Sequence, residues 1–211
     1  MSALLRVVLA FVASDWDPDS LLMVRVRKGD RQAFAELVDK YKQPLINYIA
    51  RTIQDPVEAE DLAQNVFVQV YKAAHRYRPQ ARFAPWLFSI ARNACLNELR
   101  RRSRHPALSL DTNPSQTEES PAQPLPDSNT PTPSHQMLRA ELEQKVAEAV
   151  GALPENQRTA ILLYQQQQMS YEEIAQVMGC SLVAVKSLIF RGRETLKQRL
   201  KAYLASGDWK P

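Results

Sequence analysis

The chain has 211 residues, a formal net charge of +4 and an isoelectric point near 9.1, enough for one large domain or two small ones. Two distant cysteines, Cys95 and Cys180, offer neither a disulfide framework nor a zinc-ligand spacing. Three isolated histidines (His75, His105 and His135), with no nucleophile–base set and no phosphate-binding glycine loop, argue against an enzyme and against any metal or cofactor.

Glycine is scarce and helix formers are common, so an all-α chain is expected, with no stretch apolar enough to span a bilayer. Met1 to Ala13 is mostly apolar and resembles a short signal peptide, but residues 14–19 lack a small-residue cleavage site. Residues 1–18 are therefore expected to be an N-terminal extension packing on the first domain, or the product of an over-long start, with Met23 as an internal alternative.

The first domain, 19–105, reads as helices. Asp30 can cap one that carries Phe34, Leu37, Val38, Tyr41 and Leu45 at helical spacing. Asp55-Pro56-Val57-Glu58 is a start signal: an N-cap, proline in the first turn, and glutamate three residues after the cap. The helix that follows puts Leu62, Val66 and Val70 on one face and Asp61, Gln64 and Asn65 largely off it. Another runs from about Pro85 through Trp86, Ile90, Ala94 and Leu99 and ends in Arg100, Arg101, Arg102 and Arg104. Aromatic and basic residues interleave between them: Tyr71, Arg76, Tyr77, Arg78, Arg82, Phe83, Trp86, Phe88 and Arg92. That combination holds single-stranded nucleic acid, rings stacking on bases and guanidinium groups following phosphates. Trp86, Phe88 and Ile90 read as core; Tyr77 and Phe83 fit either role.

Residues 106–134 hold seven of the fourteen prolines and four acidic residues (Asp111, Glu118, Glu119, Asp127), with no Lys or Arg. Such a segment buries too little apolar surface to offset its ordering entropy and reads as a disordered linker. Beyond it, 135–205 forms a second helical domain before a tail at 206–211. A helix with Leu138, Leu142, Val146, Ala149 and Leu153 precedes one opened by Pro154 that carries Ile161, Leu162 and Tyr164. Ser170-Tyr171-Glu172-Glu173 is a capping box for a short helix with Ile174, Ala175 and Val177 inward. Gly179 supplies a positive φ at its end, and Ser181 can cap the next helix. Ala175, Gly179 and Val185 occupy the small, turn and anchor positions of a helix-turn-helix. Its second helix offers Ala184, Lys186, Ser187, Phe190, Arg191 and Arg193 to a major groove.

These residues resemble a known family. Glu172-Glu173-Ile174-Ala175, Val185-Lys186-Ser187 and Arg191-Gly192-Arg193-Glu194 are similar to region 4 of the sigma factors, approached by Leu153-Pro154-Glu155-Asn156-Gln157-Arg158. Glu60 to Phe67 resembles region 2.2, and Phe83 to Asn93 the 2.3–2.4 segment. Both matches in order, with no long domain between them, resemble the extracytoplasmic-function (ECF) group of the sigma-70 family. Asn65 departs from the family's usual Glu, Ala184 from Thr, Leu188 from Arg and Gly192 from Ala.

The resemblance implies an all-α, non-enzymatic protein of two small helical domains, a region 2 bundle and a region 4 helix-turn-helix, joined by the disordered linker. Its partners would be core RNA polymerase (β′ and β subunits), promoter DNA and an anti-sigma factor, in the cytoplasm and without membrane insertion. It would promote DNA melting and initiation at a specific gene set. Asp61, Gln64, Asn65 and Phe67 would bind the polymerase. Arg76, Tyr77, Arg82, Phe83, Asn93, Asn97, Arg100 and Arg101 would bind and melt the −10 element, the loop Pro79–Ala84 forming a base pocket. Ser181, Val183, Ala184, Lys186, Ser187, Phe190 and Arg191 would read the −35 element. The linker's 29 positions could extend roughly 95 Å, and its acidic character suits threading through a channel built for RNA. The other open reading is a helix-turn-helix regulator that acts without stable polymerase binding.

Overall fold

Helix boundaries fall where the capping chemistry places them. In the computed structural model, which describes residues 17–79, 82–104 and 133–205, the first four helices are α1 (Pro18–Arg27), α2 (Arg31–Ile53), α3 (Pro56–Ala73) and α4 (Phe83–Arg104). A 3-10 turn, Ala74–Arg76, follows α3. The second group is α5 (Pro133–Gly151), α6 (Glu155–Gln166), α7 (Tyr171–Met178) and α8 (Leu182–Ala205). Asp30 accepts from the Ala33 N–H at 3.1 Å and Asp55 from the Glu58 N–H at 3.0 Å, so both expected caps form. The residues expected of the extension at 1–16, the linker at 106–132 and the tail at 206–211 lie outside the described residues. Asp17 and Pro18, at the end of the expected extension, open α1 and pack with the first domain.

In the first group α2 is central and touches α1, α3 and α4. Its Leu37, Leu45, Tyr48 and Ile49 meet Val66 and Val70 of α3 and Leu87 and Phe88 of α4, all fully buried. The Tyr48 and Phe88 rings meet edge-on with centroids 5.2 Å apart. Each such side chain contributes about 1.5–3 kcal/mol of burial, so these helical stripes are what bind the group together. Cys95 is part of this core; burial pushes its thiol up to about 12, so it stays protonated and inert.

The second group closes around Leu153, Leu163, Ile174, Val185 and Ile189. Gly192 sits where α8 crosses α6; a Cβ there would lie 2.9 Å from Ile161 Cγ1. Glycine in a helix interior costs about 1 kcal/mol relative to alanine, and this close approach is its physical reason here.

The two groups pack directly on each other, α4 against α7 and α2 against α5 and α6, so one apolar core runs through both. Arg158 of α6 crosses the seam. Its guanidinium donates to the Thr52 carbonyl of α2 at 2.7 Å and to the Gly151 and Leu153 carbonyls at 2.6 and 3.0 Å. Gln54, in the left-handed region with φ +58°, donates its side-chain amide to the Gly151 carbonyl. A Cβ on Gly151 would lie 2.9 Å from that amide nitrogen, so a side chain there would displace the Gln54 amide.

Candidate nucleic-acid and partner surfaces

The solvent face of α3 carries a stripe. Asp61, Gln64 and Asn65 are exposed there, and so are Val57, Val68 and Tyr71. Positions 57, 61, 64, 68 and 71 follow alternating steps of four and three, the spacing with which one helix meets another. Val57 is 83% exposed and Val68 49%, more apolar area than a merely solvated face holds in one line. Phe67 is not on this stripe: it is 8% exposed and meets the Phe34 ring at 6.5 Å. It shares the inward face with Ala63, Val66 and Val70, so its expected role in direct contact is corrected to a supporting one. The sequence reading missed Val57 and Val68, although the four-three spacing is written in the chain.

On α4, Asn93, Asn97 and Arg100 are exposed at steps of four and three and form one polar, basic face. Asn97, Arg100, Arg101 and Arg104 line a shallow depression along it. The arginine run divides into different roles. Arg101 is bidentate to Glu98, at 2.8 and 2.7 Å. Arg102 bonds Glu98 at 2.8 Å and Asp55 at 3.0 Å, tying the end of α4 to the start of α3. Arg100 and Arg104 extend into solvent. Glu98 was the missing signal; its i, i+3 and i, i+4 spacing to Arg101 and Arg102 is visible in the chain.

Arg101 and Arg102 hold the buried Glu98 carboxyl below the usual carboxylate range, Arg101 being the larger influence. A depressed carboxylate pKa contributes stability above the ordinary value of about 4.3 and loses it as pH falls through the folded value. Thermal melts should therefore show stability falling from about pH 4.3 downward, with a flatter dependence in Glu98→Gln.

Between the 3-10 turn and α4 the expected nucleic-acid residues separate. Arg76, Arg78 and Arg82 are exposed, whereas Tyr77 is 2% exposed and Phe83 fully buried. Their rings form a cluster with Tyr41 and Trp86: Tyr77–Trp86 at 4.9 Å, Tyr41–Phe83 at 5.2 Å and Tyr77–Phe83 at 6.2 Å. Stacking on a base needs an open ring face, so for these two the expectation of base contact is replaced by a core role. Gln80 and Ala81, part of the expected pocket loop, lie outside the described residues. Arg82 Nη1 reaches Glu173 of α7 at 3.0 Å, across the seam.

Both halves of the Ser170–Glu173 capping box are present, Gly179 has φ +63°, and the Ser181 hydroxyl accepts from the Ala184 N–H at 3.2 Å. The helices bend by 100° at this turn, within the range for a helix-turn-helix. Val183, Lys186, Phe190 and Arg191 project from α8, Val183 76% and Phe190 71% exposed, with Ala184 and Ser187 half-buried beside them. Behind this face Arg193 lies over the Tyr164 ring, 4.9 Å from its centroid, and Tyr164 stacks on Tyr171.

Comparison with known proteins agrees with this arrangement. Residues 37–105 match the model for Sigma-70 region 2 and residues 143–196 that for Sigma-70, region 4. The RNA polymerase sigma-H factor of Pseudomonas aeruginosa is 37% identical over 188 residues, covering 89% of this chain and 96% of the relative. The chain belongs to the ECF group of the sigma-70 family. This sigma factor is also 35% identical to the ECF RNA polymerase sigma-E factor of Escherichia coli K12, over 87% of this chain and 94% of the relative. The solved structure of CnrH in complex with the cytosolic domain of CnrY superposes with a TM-score of 0.64 at 27% identity, covering 88% of this chain and 99% of that one. RpoE of Bartonella quintana, solved with the anti-sigma factor NepR, has the same fold, with a TM-score of 0.60, 24% identity, and 80% and 96% of the two chains covered. The sigma factor is non-enzymatic and directs RNA polymerase to promoters. No single helix among its described residues is long and apolar enough to cross a membrane.

Proposed function

We propose that the α3 stripe, Val57 to Tyr71, docks this sigma factor on core RNA polymerase, with Asp61, Gln64 and Asn65 supplying the polar contacts. The face of α4 (Asn93, Asn97, Arg100), with Arg76, Arg78 and Arg82, takes the −10 strand during melting. The face of α8 (Val183, Lys186, Ser187, Phe190, Arg191) takes the −35 duplex. One observation carries this reading: three helical faces, one apolar-polar and two basic, stay open while the other faces of the same helices are packed. The protein works in the cytoplasm, where core enzyme and promoter are.

The seam adds a condition. Promoter elements about two helical turns apart are separated by ~70 Å, whereas Arg82 beside the −10 face touches Glu173 of the helix-turn-helix at 3.0 Å. The two groups therefore part on the promoter, with the segment between α4 and α5 as the tether. CnrH is solved with the cytosolic domain of CnrY bound, which supports a protein partner, of the anti-sigma kind expected from the sequence, for this factor as well.

Run-off transcription with purified core polymerase and genomic fragments tests the reading. Specific transcripts that depend on this factor are expected. Duplex binding by the pure protein without any affinity for core enzyme would instead make it a conventional regulator. On a responsive promoter, Arg100→Ala is expected to lower the salt slope of holoenzyme binding by about one unit. Arg101→Ala should lower it less, because Glu98 already neutralises that side chain.

A further inference from the structure

The tetrapeptide Asp17-Pro18-Asp19-Ser20 lies outside the residues that match region 2, yet its polar side chains converge on the start of the −10 face. Asp17 Oδ2 accepts from the backbone N–H of Phe83 at 3.1 Å, 66 positions along the chain. It also accepts from the Ser20 hydroxyl at 3.2 Å, and the Ser20 oxygen accepts from the Tyr77 hydroxyl at 2.8 Å. Asp19, 4% exposed, accepts from the Tyr41 hydroxyl at 2.5 Å and from Lys40 Nζ at 2.7 Å, which anchors the tetrapeptide on α2.

The geometry gives these contacts a purpose. Phe83 is the first residue of α4, and its N–H is one of the amides an α-helix leaves without an internal acceptor. Here the acceptor comes from α1's leading residue rather than from the residue before the helix, and a carboxylate there also complements the helix dipole. Tyr77 closes the 3-10 turn at the other end of the connection. Asp17 and Ser20 thus hold both ends of the chain between turn and helix, inside which Arg78 and Arg82 are exposed, Arg82 with its Nη1 on Glu173 of α7.

We propose that Asp17 and Ser20 are positioning residues for −10 recognition. They set the distance and angle between Tyr77 and the first turn of α4, and so the place where Arg78, Arg82 and the Asn93–Arg100 face meet the strand. The proposal rests on the −10 reading above.

The test uses full-length protein assembled with core polymerase and a single-stranded DNA oligonucleotide selected on the wild-type holoenzyme from a randomised pool. Core affinity, oligonucleotide affinity per assembled holoenzyme, and thermal midpoint are measured for Asp17→Ala, Asp17→Asn and Ser20→Ala. Asp17→Ala is expected to weaken the oligonucleotide about tenfold, the scale of one lost cap, with core affinity unchanged. Asp17→Asn should restore binding, since an amide oxygen caps as well as a carboxylate. Ser20→Ala should weaken it about threefold, a fraction of one hydrogen bond's worth. Unchanged oligonucleotide affinity in Asp17→Ala, a loss that merely tracks core affinity, or no rescue by Asp17→Asn would each overturn the proposal. Should Asp17→Ala fail to fold, Ser20→Ala decides, because it keeps the Asp17 carboxylate on the Phe83 N–H and removes the hydroxyl that bonds Tyr77 and Asp17. A wild-type holoenzyme that selects no oligonucleotide refutes the −10 reading itself, an outcome distinct from a wild type that binds and variants that bind equally.

Discussion

Val68→Asp is expected to lower affinity for core RNA polymerase by about two orders of magnitude while leaving the fold intact. Val68 is 49% exposed on the α3 stripe, and a charge brought into a desolvated interface costs on the order of 2–4 kcal/mol. The same substitution on a free surface stays within about 0.5 kcal/mol, so the thermal midpoint of the isolated protein should barely move. Phe67→Ala makes the contrast. Phe67 faces the core beside Phe34, and its truncation should cost about 3–5 kcal/mol of stability. It would therefore weaken polymerase binding only by way of unfolding. Titration of labelled sigma factor against core enzyme, alongside a melt of each variant, separates the two. Normal core affinity in Val68→Asp would remove α3 from the interface.

Arg158→Ala should destabilise the protein by about 2–4 kcal/mol, the scale of breaking a part-buried, charge-assisted set of hydrogen bonds. For a chain of this size that is a fall in thermal midpoint of roughly 5–15 °C. Burial works against the Arg158 charge, yet a guanidinium stays protonated at neutral pH, and its fork meets three carbonyls at once. Arg158→Lys should recover part of the loss only, because one ammonium cannot reproduce the planar fork. Since the Thr52 carbonyl belongs to the first helical group and Arg158 to the second, the variant should also part the groups more easily. Scattering by the free protein should then report a larger radius of gyration. A melt and a radius identical to wild type would mean that the seam is held by its apolar contacts alone.

Much of this architecture was legible in the chain because its signals are local. Asp30, Asp55, Ser170 and Gly179 act within four residues of themselves, through amides left open at a helix end or a φ that glycine tolerates. Apolar periodicity marked the buried faces of α2, α3 and α7 for the same reason, since a helix fixes which residues share a side. From these came the helical domains and the helix-turn-helix, while the site positions of α4 came from the resemblance to the sigma factors. Tertiary structure alone decided where the aromatic side chains go and what crosses between the groups. Tyr77 and Phe83 carry no local mark that distinguishes a ring open to bases from a ring in a core. That choice was made by Tyr41, Ser20 and Asp17, dozens of positions away. The bonds from Arg158 to Thr52 and from Arg82 to Glu173 span 106 and 91 residues. Such contacts depend on how packed faces meet in space, and neither composition nor spacing encodes that meeting.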